Sequence, residues 1–212
     1  MILYRICWWI LAAIMKVYWR VSYEGRENVP TTEPFVLAPV HRSFLDFAIV
    51  SGVTKRRLCY MAKDSVFKPK LFRPFLYALG AFPVKRDVAD REAMRRVMAV
   101  IERGEPVVMF PEGTRRYGPV VENLHEGPAY VAAKTGVPIV PVGIGGSERA
   151  MAKGKRIPRP YKIRVVVGPP IRPPAPVEGA RTPRRVLHEL TADVQAEVQR
   201  LFDQAQSTAR TP

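Results

Sequence analysis

Phe35-Val36-Leu37-Ala38-Pro39-Val40-His41-Arg42-Ser43-Phe44-Leu45-Asp46 is the stretch on which the reading of this chain turns. Phe35–Pro39 is a short, unbroken apolar run with the length and flanking proline of a buried strand. Polar residues follow, and Phe44–Val53 then carries a helical pattern. The same strand-turn-helix alternation continues along the chain. Apolar runs at Leu58–Met61, Leu79–Val84, Val107–Phe110, Val137–Gly143 and Ile163–Val167 read as strands. Helical patterns fall at about Ser65–Ala78, Asp90–Arg103 and Pro128–Thr135. Such alternation predicts an α/β fold, a single domain with a central mostly parallel or mixed sheet flanked by helices. The two prolines of Val137-Pro138-Ile139-Val140-Pro141-Val142 place that strand at a sheet edge or an irregular position. With 212 residues, 47% of them hydrophobic, the chain has material for one compact core.

Gly168–Pro176 is a proline-rich extended connector. It leads to a last amphipathic helix at about 182–205, with Val186, Leu190, Val194 and Leu201 on one stripe. At the other end, residues 1–22 read as a separate helix ahead of a domain spanning 23–212. The uncharged stretch Ile6–Met15 is much shorter than the roughly 20 apolar residues of a spanning helix. Arg5 and Lys16 lie on one side of that helix, opposite Leu3, Ile10, Ile14 and Val17. With Tyr4, Trp8, Trp9, Tyr18 and Trp19, this predicts an amphipathic helix lying in a membrane interface. The competing reading is a core helix of the domain. Val66–Phe82, which mixes cations with aromatics, is open to the same two readings.

The net charge of +15 directs the protein toward polyanions. Basic residues concentrate at 149–185, where Glu178 is the single acid. No stacking motif of a nucleic-acid module accompanies them, so an anionic membrane surface is the expected partner and nucleic acid is not. Cys7 and Cys59 sit in apolar surroundings without metal-ligand or redox spacing, and read as packing residues.

His41 follows a strand, and Asp46 stands five positions later. In one regular helix the two would lie about 140° apart and not meet. If His41 instead occupies the turn before a helix capped by Ser43, the side chains converge. That pair has the makings of a general base and its orienting carboxylate. The same spacing also fits a capping box, in which Asp46 only ties down a backbone N–H. A second cluster, Phe110-Pro111-Glu112-Gly113-Thr114-Arg115, follows a strand end, where open α/β sheets place ligand contacts. Gly113 permits a sharp turn, and Arg115 offers a phosphate fork. Gly80-Ala81-Phe82-Pro83-Val84-Lys85-Arg86 ends another strand with two cations. His125 and His188 read as ordinary surface residues.

Taken in order, these four blocks resemble the PlsC-type glycerolipid acyltransferase family, which includes 1-acylglycerol-3-phosphate and glycerol-3-phosphate acyltransferases. The resemblance runs from about Glu24 to Ile171. It implies His41 as general base, Asp46 as its orienting partner, and Arg86, Glu112, Gly113, Arg115 and Lys63 as the acceptor-phosphate site. It implies transfer from acyl-CoA or acyl carrier protein to 1-acylglycerol-3-phosphate (lysophosphatidate) to give phosphatidate, without metal, cofactor or covalent enzyme intermediate. Ser43 is then a helix cap, and N–H groups at the start of that helix are placed to hold the thioester oxyanion. The cytoplasmic face of the cell membrane is the expected location, with the protein peripheral or monotopic. Glu126 before Gly127, Arg116 after the third block and Phe82-Pro83 in the second depart from the family's usual residues, which leaves acceptor identity open. A glycerol-3-phosphate acyltransferase, or one of different positional specificity, is the alternative within the class; a non-enzymatic basic membrane- or RNA-binding module is the alternative outside it.

Overall fold

A computed structural model describes residues 9, 12–68, 73–78, 80–84, 91–151, 154, 157–175 and 182–210. Seven strands, β1 (Ser22–Glu24), β2 (Val36–Pro39), β3 (Cys59–Lys63), β4 (Ala81–Val84), β5 (Val107–Val108), β6 (Ile139–Gly145) and β7 (Arg164–Val167), form one sheet. Its order is β1-β7-β6-β2-β5-β3-β4, and every pairing is parallel except β6 with β7. The expected α/β fold with a mixed, mostly parallel sheet is therefore present.

The helices are α1 (residues 12–17), α2 (Asp46–Val50), α3 (Arg73–Ala78), α4 (Arg91–Glu102), α5 (Gly127–Thr135), α6 (Ser147–Ala150) and α7 (Arg184–Arg210). The predicted helix at Ser65–Ala78 is instead a 3-10 turn at Asp64–Phe67 followed by α3. Pro74 sits in the first turn of α3, where a missing N–H is tolerated.

β2 lies at the middle of the sheet, and its Phe35 to Ala38 stretch is wholly buried. The apolar run forms a strand because parallel neighbours cover both of its edges. β6 also runs inside the sheet, between β2 and β7, contrary to the edge position its prolines suggested. The Pro141 carbonyl accepts the Gly168 N–H beyond the last residue of β7, so its missing donor faces the end of that ladder, where little is lost.

The N-terminal segment is shorter as a helix than expected. By Ser22 the chain has entered β1, because backbone pairing with the segment around Ile163 takes over: the Trp19 carbonyl accepts Ile163 N–H and Ser22 N–H donates back to Ile163. Met15 and Trp19 join the main core, while Trp9, Ile14, Val17 and Tyr18 face outward. Residues 1–8, 10 and 11 of the expected interfacial helix lie outside the described residues. Among the described residues no helix is long and apolar enough to cross a membrane. Tyr23 anchors this corner, its hydroxyl donating to the Ile49 carbonyl at 2.9 Å, and burial pushes its pKa up to about 12. Cys59 is buried, as expected of a packing residue. Its thiol donates to Glu105 at 2.9 Å and is pushed by burial to about 12.

α7 extends beyond the expected 182–205 and lies across β6 and β7. Val194, Val198, Leu201, Phe202 and Ala205 form its buried stripe. Each fully buried Val, Leu or Phe contributes about 1.5–3 kcal/mol. The helix approaches so closely because Gly143 and Gly145 present bare backbone to it; a methyl group at Gly143 would run into the Leu201 carbonyl group. Gly143→Ala should therefore destabilise the protein by about 1–3 kcal/mol. A urea unfolding midpoint unchanged from wild type would show that α7 is not seated on that glycine.

Candidate active site

His41 stands just beyond the carboxyl end of β2, and Glu112 just beyond that of β5, its neighbour in the sheet. The sheet thus brings the first and third sequence blocks together at one strand end. His41 Nδ1 lies 3.0 Å from Asp46 Oδ2, and both side chains are buried. The same Oδ2 accepts the backbone N–H groups of Arg42 and Ser43, each at 2.7 Å. An oxygen accepting these donors is a carboxylate acceptor toward the ring as well, which puts the imidazole proton on Nδ1 and leaves Nε2 with its lone pair. Phe110 stacks on the imidazole with ring centroids 4.1 Å apart and planes 29° from parallel.

The convergence and the backbone capping that the His41–Asp46 spacing allowed are thus both present. Asp46 ties down N–H groups as a capping residue does, and it orients His41 through the same oxygen. It can do both because α2 begins at Asp46, so that residues 41–45 form the turn. Ser43 is accordingly not the residue at which the helix starts. Its hydroxyl accepts the Leu45 N–H and donates to the Met151 carbonyl at 2.7 Å. Of the N–H groups expected to be free for a thioester oxyanion, that of Phe44 alone in this turn lacks an acceptor among the described residues. His41 N–H goes to Glu112, those of Arg42 and Ser43 to Asp46, and that of Leu45 to Ser43 Oγ.

Glu112, expected to shape the acceptor-phosphate site, is wholly buried. Its Oε2 accepts the His41 N–H at 2.8 Å and its Oε1 accepts Arg42 Nη1 at 2.5 Å. A buried carboxylate so engaged has no free donor or charge to offer a phosphate. Arg42, to which the sequence reading gave no role, is its partner. Breaking one side of a buried pair typically costs about 3–5 kcal/mol.

Gly113 adopts φ +67°, and a side chain there would meet the His125 ring at 2.7 Å. His125 is exposed, as expected of a surface residue, with its ring lying against this loop. His188 is exposed, 3.3 Å from Glu126. Arg115 is half-buried, with its guanidinium carbon 5.9 Å from the centre of the Phe44 ring. Lys63 closes β3 at the same end of the sheet as His41. Arg86 lies outside the described residues. Among the described residues no three His, Cys, Asp or Glu side chains gather as a metal-ligand group. Phe44 and Phe47 pack edge to face, centroids 4.9 Å apart, and both are exposed beside the His41 turn. The sequence reading did not single them out, and the only available signal was their placement at helix positions that a core-facing stripe would not need.

The Acyltransferase family model matches residues 20–145, more than half of the chain. The protein belongs to the acyltransferase family. This acyltransferase is 28% identical over 170 residues to the 1-acyl-sn-glycerol-3-phosphate acyltransferase of Bacillus subtilis, a match covering 80% of this chain and 82% of that one. A 30% identity over 167 residues relates it to the chloroplastic 1-acyl-sn-glycerol-3-phosphate acyltransferase LPAT1 of Arabidopsis thaliana, covering 77% of this chain and 46% of the plant protein. Among solved structures, the 1-acyl-sn-glycerophosphate acyltransferase PlsC of Thermotoga maritima is similar with a TM-score of 0.68 at 25% identity, covering 91% of this chain and 79% of that one.

The geometry supplies one nitrogen base held by one carboxylate, with a cation nearby and no nucleophilic side chain free in the turn. An imidazole so held can serve as a general base. His41→Ala should lower kcat by about 10²–10⁴-fold. Asp46→Asn should do nearly as much, since the neutral amide carries no charge to stabilise the imidazolium and buries its NH2 where Oδ1 now has no partner. Steady-state rates of acyl transfer by the folded variants test both; a His41→Ala enzyme with near wild-type kcat would remove the assigned base.

Proposed function

We propose that this acyltransferase moves a fatty acyl group from acyl-CoA or acyl carrier protein to the free hydroxyl of 1-acylglycerol-3-phosphate, giving phosphatidate. The observation that carries this reading is the buried His41–Asp46 pair at a sheet end that also carries Arg115. The names of the bacterial and plant relatives support the acceptor. In the reaction, His41 Nε2 takes the hydroxyl proton as the oxygen attacks the thioester carbonyl. Asp46 stabilises the imidazolium that forms. Collapse of the tetrahedral intermediate breaks the carbon–sulfur bond, and the departing thiolate takes the proton back from His41. Arg115 holds the acceptor phosphate through its guanidinium fork, with Lys63 and Arg86, the latter outside the described residues, as further cations.

The lipid acceptor reaches the site from a membrane surface. α1 and α2 meet at Tyr23, whose hydroxyl contacts both Met15 and Ile49, so the exposed Ile14 and Val17 belong to the same corner of the molecule as Phe44 and Phe47. Apolar and aromatic side chains exposed beside a basic site suit docking to headgroup depth on an anionic bilayer.

The test is an assay of the purified protein crossing acyl-CoA and acyl carrier protein donors with glycerol-3-phosphate and both monoacyl isomers, read by product mass. Phosphatidate from the 1-acyl acceptor is expected. Product from glycerol-3-phosphate alone would transfer the assignment to that acceptor, and no acyl transfer at all would overturn the reading. Arg115→Ala should raise the acceptor KM about tenfold or more, with little change in the donor KM. Val17→Asp and Phe47→Asp should each reduce cosedimentation with anionic vesicles. Vesicle binding unaffected by both would take the membrane face elsewhere.

A further inference from the structure

Arg42 is buried to 2% exposure, yet each nitrogen of its guanidinium has a designated acceptor. Nε donates to the Gly118 carbonyl at 3.2 Å and Nη2 to the Val120 carbonyl at 2.9 Å. Nη1 donates to the His41 carbonyl at 3.2 Å and to Glu112 Oε1 at 2.5 Å. The group also stands 5.0 Å from the centre of the Phe202 ring, on α7.

These contacts join three parts of the chain. His41 has both of its backbone polar groups engaged in the assembly: its N–H goes to Glu112, and its carbonyl accepts from Arg42 and from the Arg116 N–H at 3.0 Å. The loop carrying Arg115 is held at Gly118 and Val120 by Arg42. From the other side Gln199 of α7 accepts the Val121 N–H at 2.6 Å and donates to the Pro119 carbonyl at 3.0 Å. A buried ion pair is a poor device for stability alone, since apolar side chains of similar volume often serve as well. Its use here is geometric, because a planar fork with fixed donor directions sets several backbone carbonyls at once.

We propose that Arg42, paired with Glu112, is a positioning residue that fixes the His41 turn and the Arg115 loop in one arrangement. Base and phosphate arm are then set to each other by a single buried guanidinium that touches neither substrate. The proposal rests on the reading of His41 as the base. A displacement of about 1 Å at a reacting group costs on the order of 100-fold in rate, and a lysine at position 42 keeps the charge while losing the fork.

The experiment compares Arg42→Lys, Glu112→Gln, Arg115→Ala and His41→Ala with wild type, as rates per folded molecule below the unfolding midpoint. Arg42→Lys and Glu112→Gln should each lower kcat by about 10- to 100-fold, with the donor KM unchanged. In the Arg42→Lys background, Arg115→Ala should lose most of its effect on the acceptor KM, because the loop is no longer fixed relative to the base; a purely structural Arg42 would leave that effect intact. Where Arg42→Lys fails to fold, Gln199→Ala loosens the same loop from the α7 side and should raise the acceptor KM with the donor KM unchanged. Folded Arg42→Lys with wild-type kcat, or Gln199→Ala with a wild-type acceptor KM, overturns the proposal. If His41→Ala is inactive in that experiment, only the positioning role falls; if His41→Ala is active, the base assignment falls and takes the positioning role with it.

Discussion

A single carboxylate oxygen, Asp46 Oδ2, governs how the chain leaves the central strand. It gathers the imidazole and two successive backbone N–H groups, and the chain must curl around it to deliver them. The helix that follows begins at Asp46, and His41 stays outside it; a helix running through both residues would put them about 140° apart. The turn is thereby built around that one buried carboxylate oxygen. The side chain that orients the imidazole also satisfies the N–H groups that a buried strand-to-helix junction would otherwise strand.

A second carboxylate does for the backbone what Asp46 does for the ring. Glu112 is delivered by β5, the parallel neighbour of β2, and its two oxygens reach His41 and Arg42. The position of the imidazole in space follows from sheet pairing, and its orientation follows from the local turn. Adjacent parallel strands end at the same level, so residues about seventy positions apart in sequence come within hydrogen-bonding distance. α7 closes the arrangement from outside. It lies flat on the bare backbone of Gly143 and Gly145 and sends Phe202 and Gln199 toward the loop between the two blocks.

The apolar corner formed by α1 and α2 is held by ordinary core contacts: Met15 and Trp19 are buried with the sheet while their neighbours face outward. The described part of the N-terminal segment is therefore a core element along one side and an exposed apolar surface along the other. A short helix can do both because its stripes lie on opposite sides of one cylinder.

By itself the amino-acid order was enough for the alternation of strands and helices, the α/β class, the family, and the pairing of His41 with Asp46. Each of these is carried by local periodicity or by residues close in sequence, where spacing constrains geometry. The true start of α2, the interior place of β6 despite its prolines, and the early end of the N-terminal helix depended on backbone pairing with distant segments. The largest difference concerns Glu112 and Arg42. A carboxylate after a strand and an arginine beside a histidine look, in one dimension, like groups awaiting ligands. Only when β2 and β5 are laid side by side do they neutralise each other, because burial makes an unpaired charge far more costly than a paired one and the fold supplies the partner.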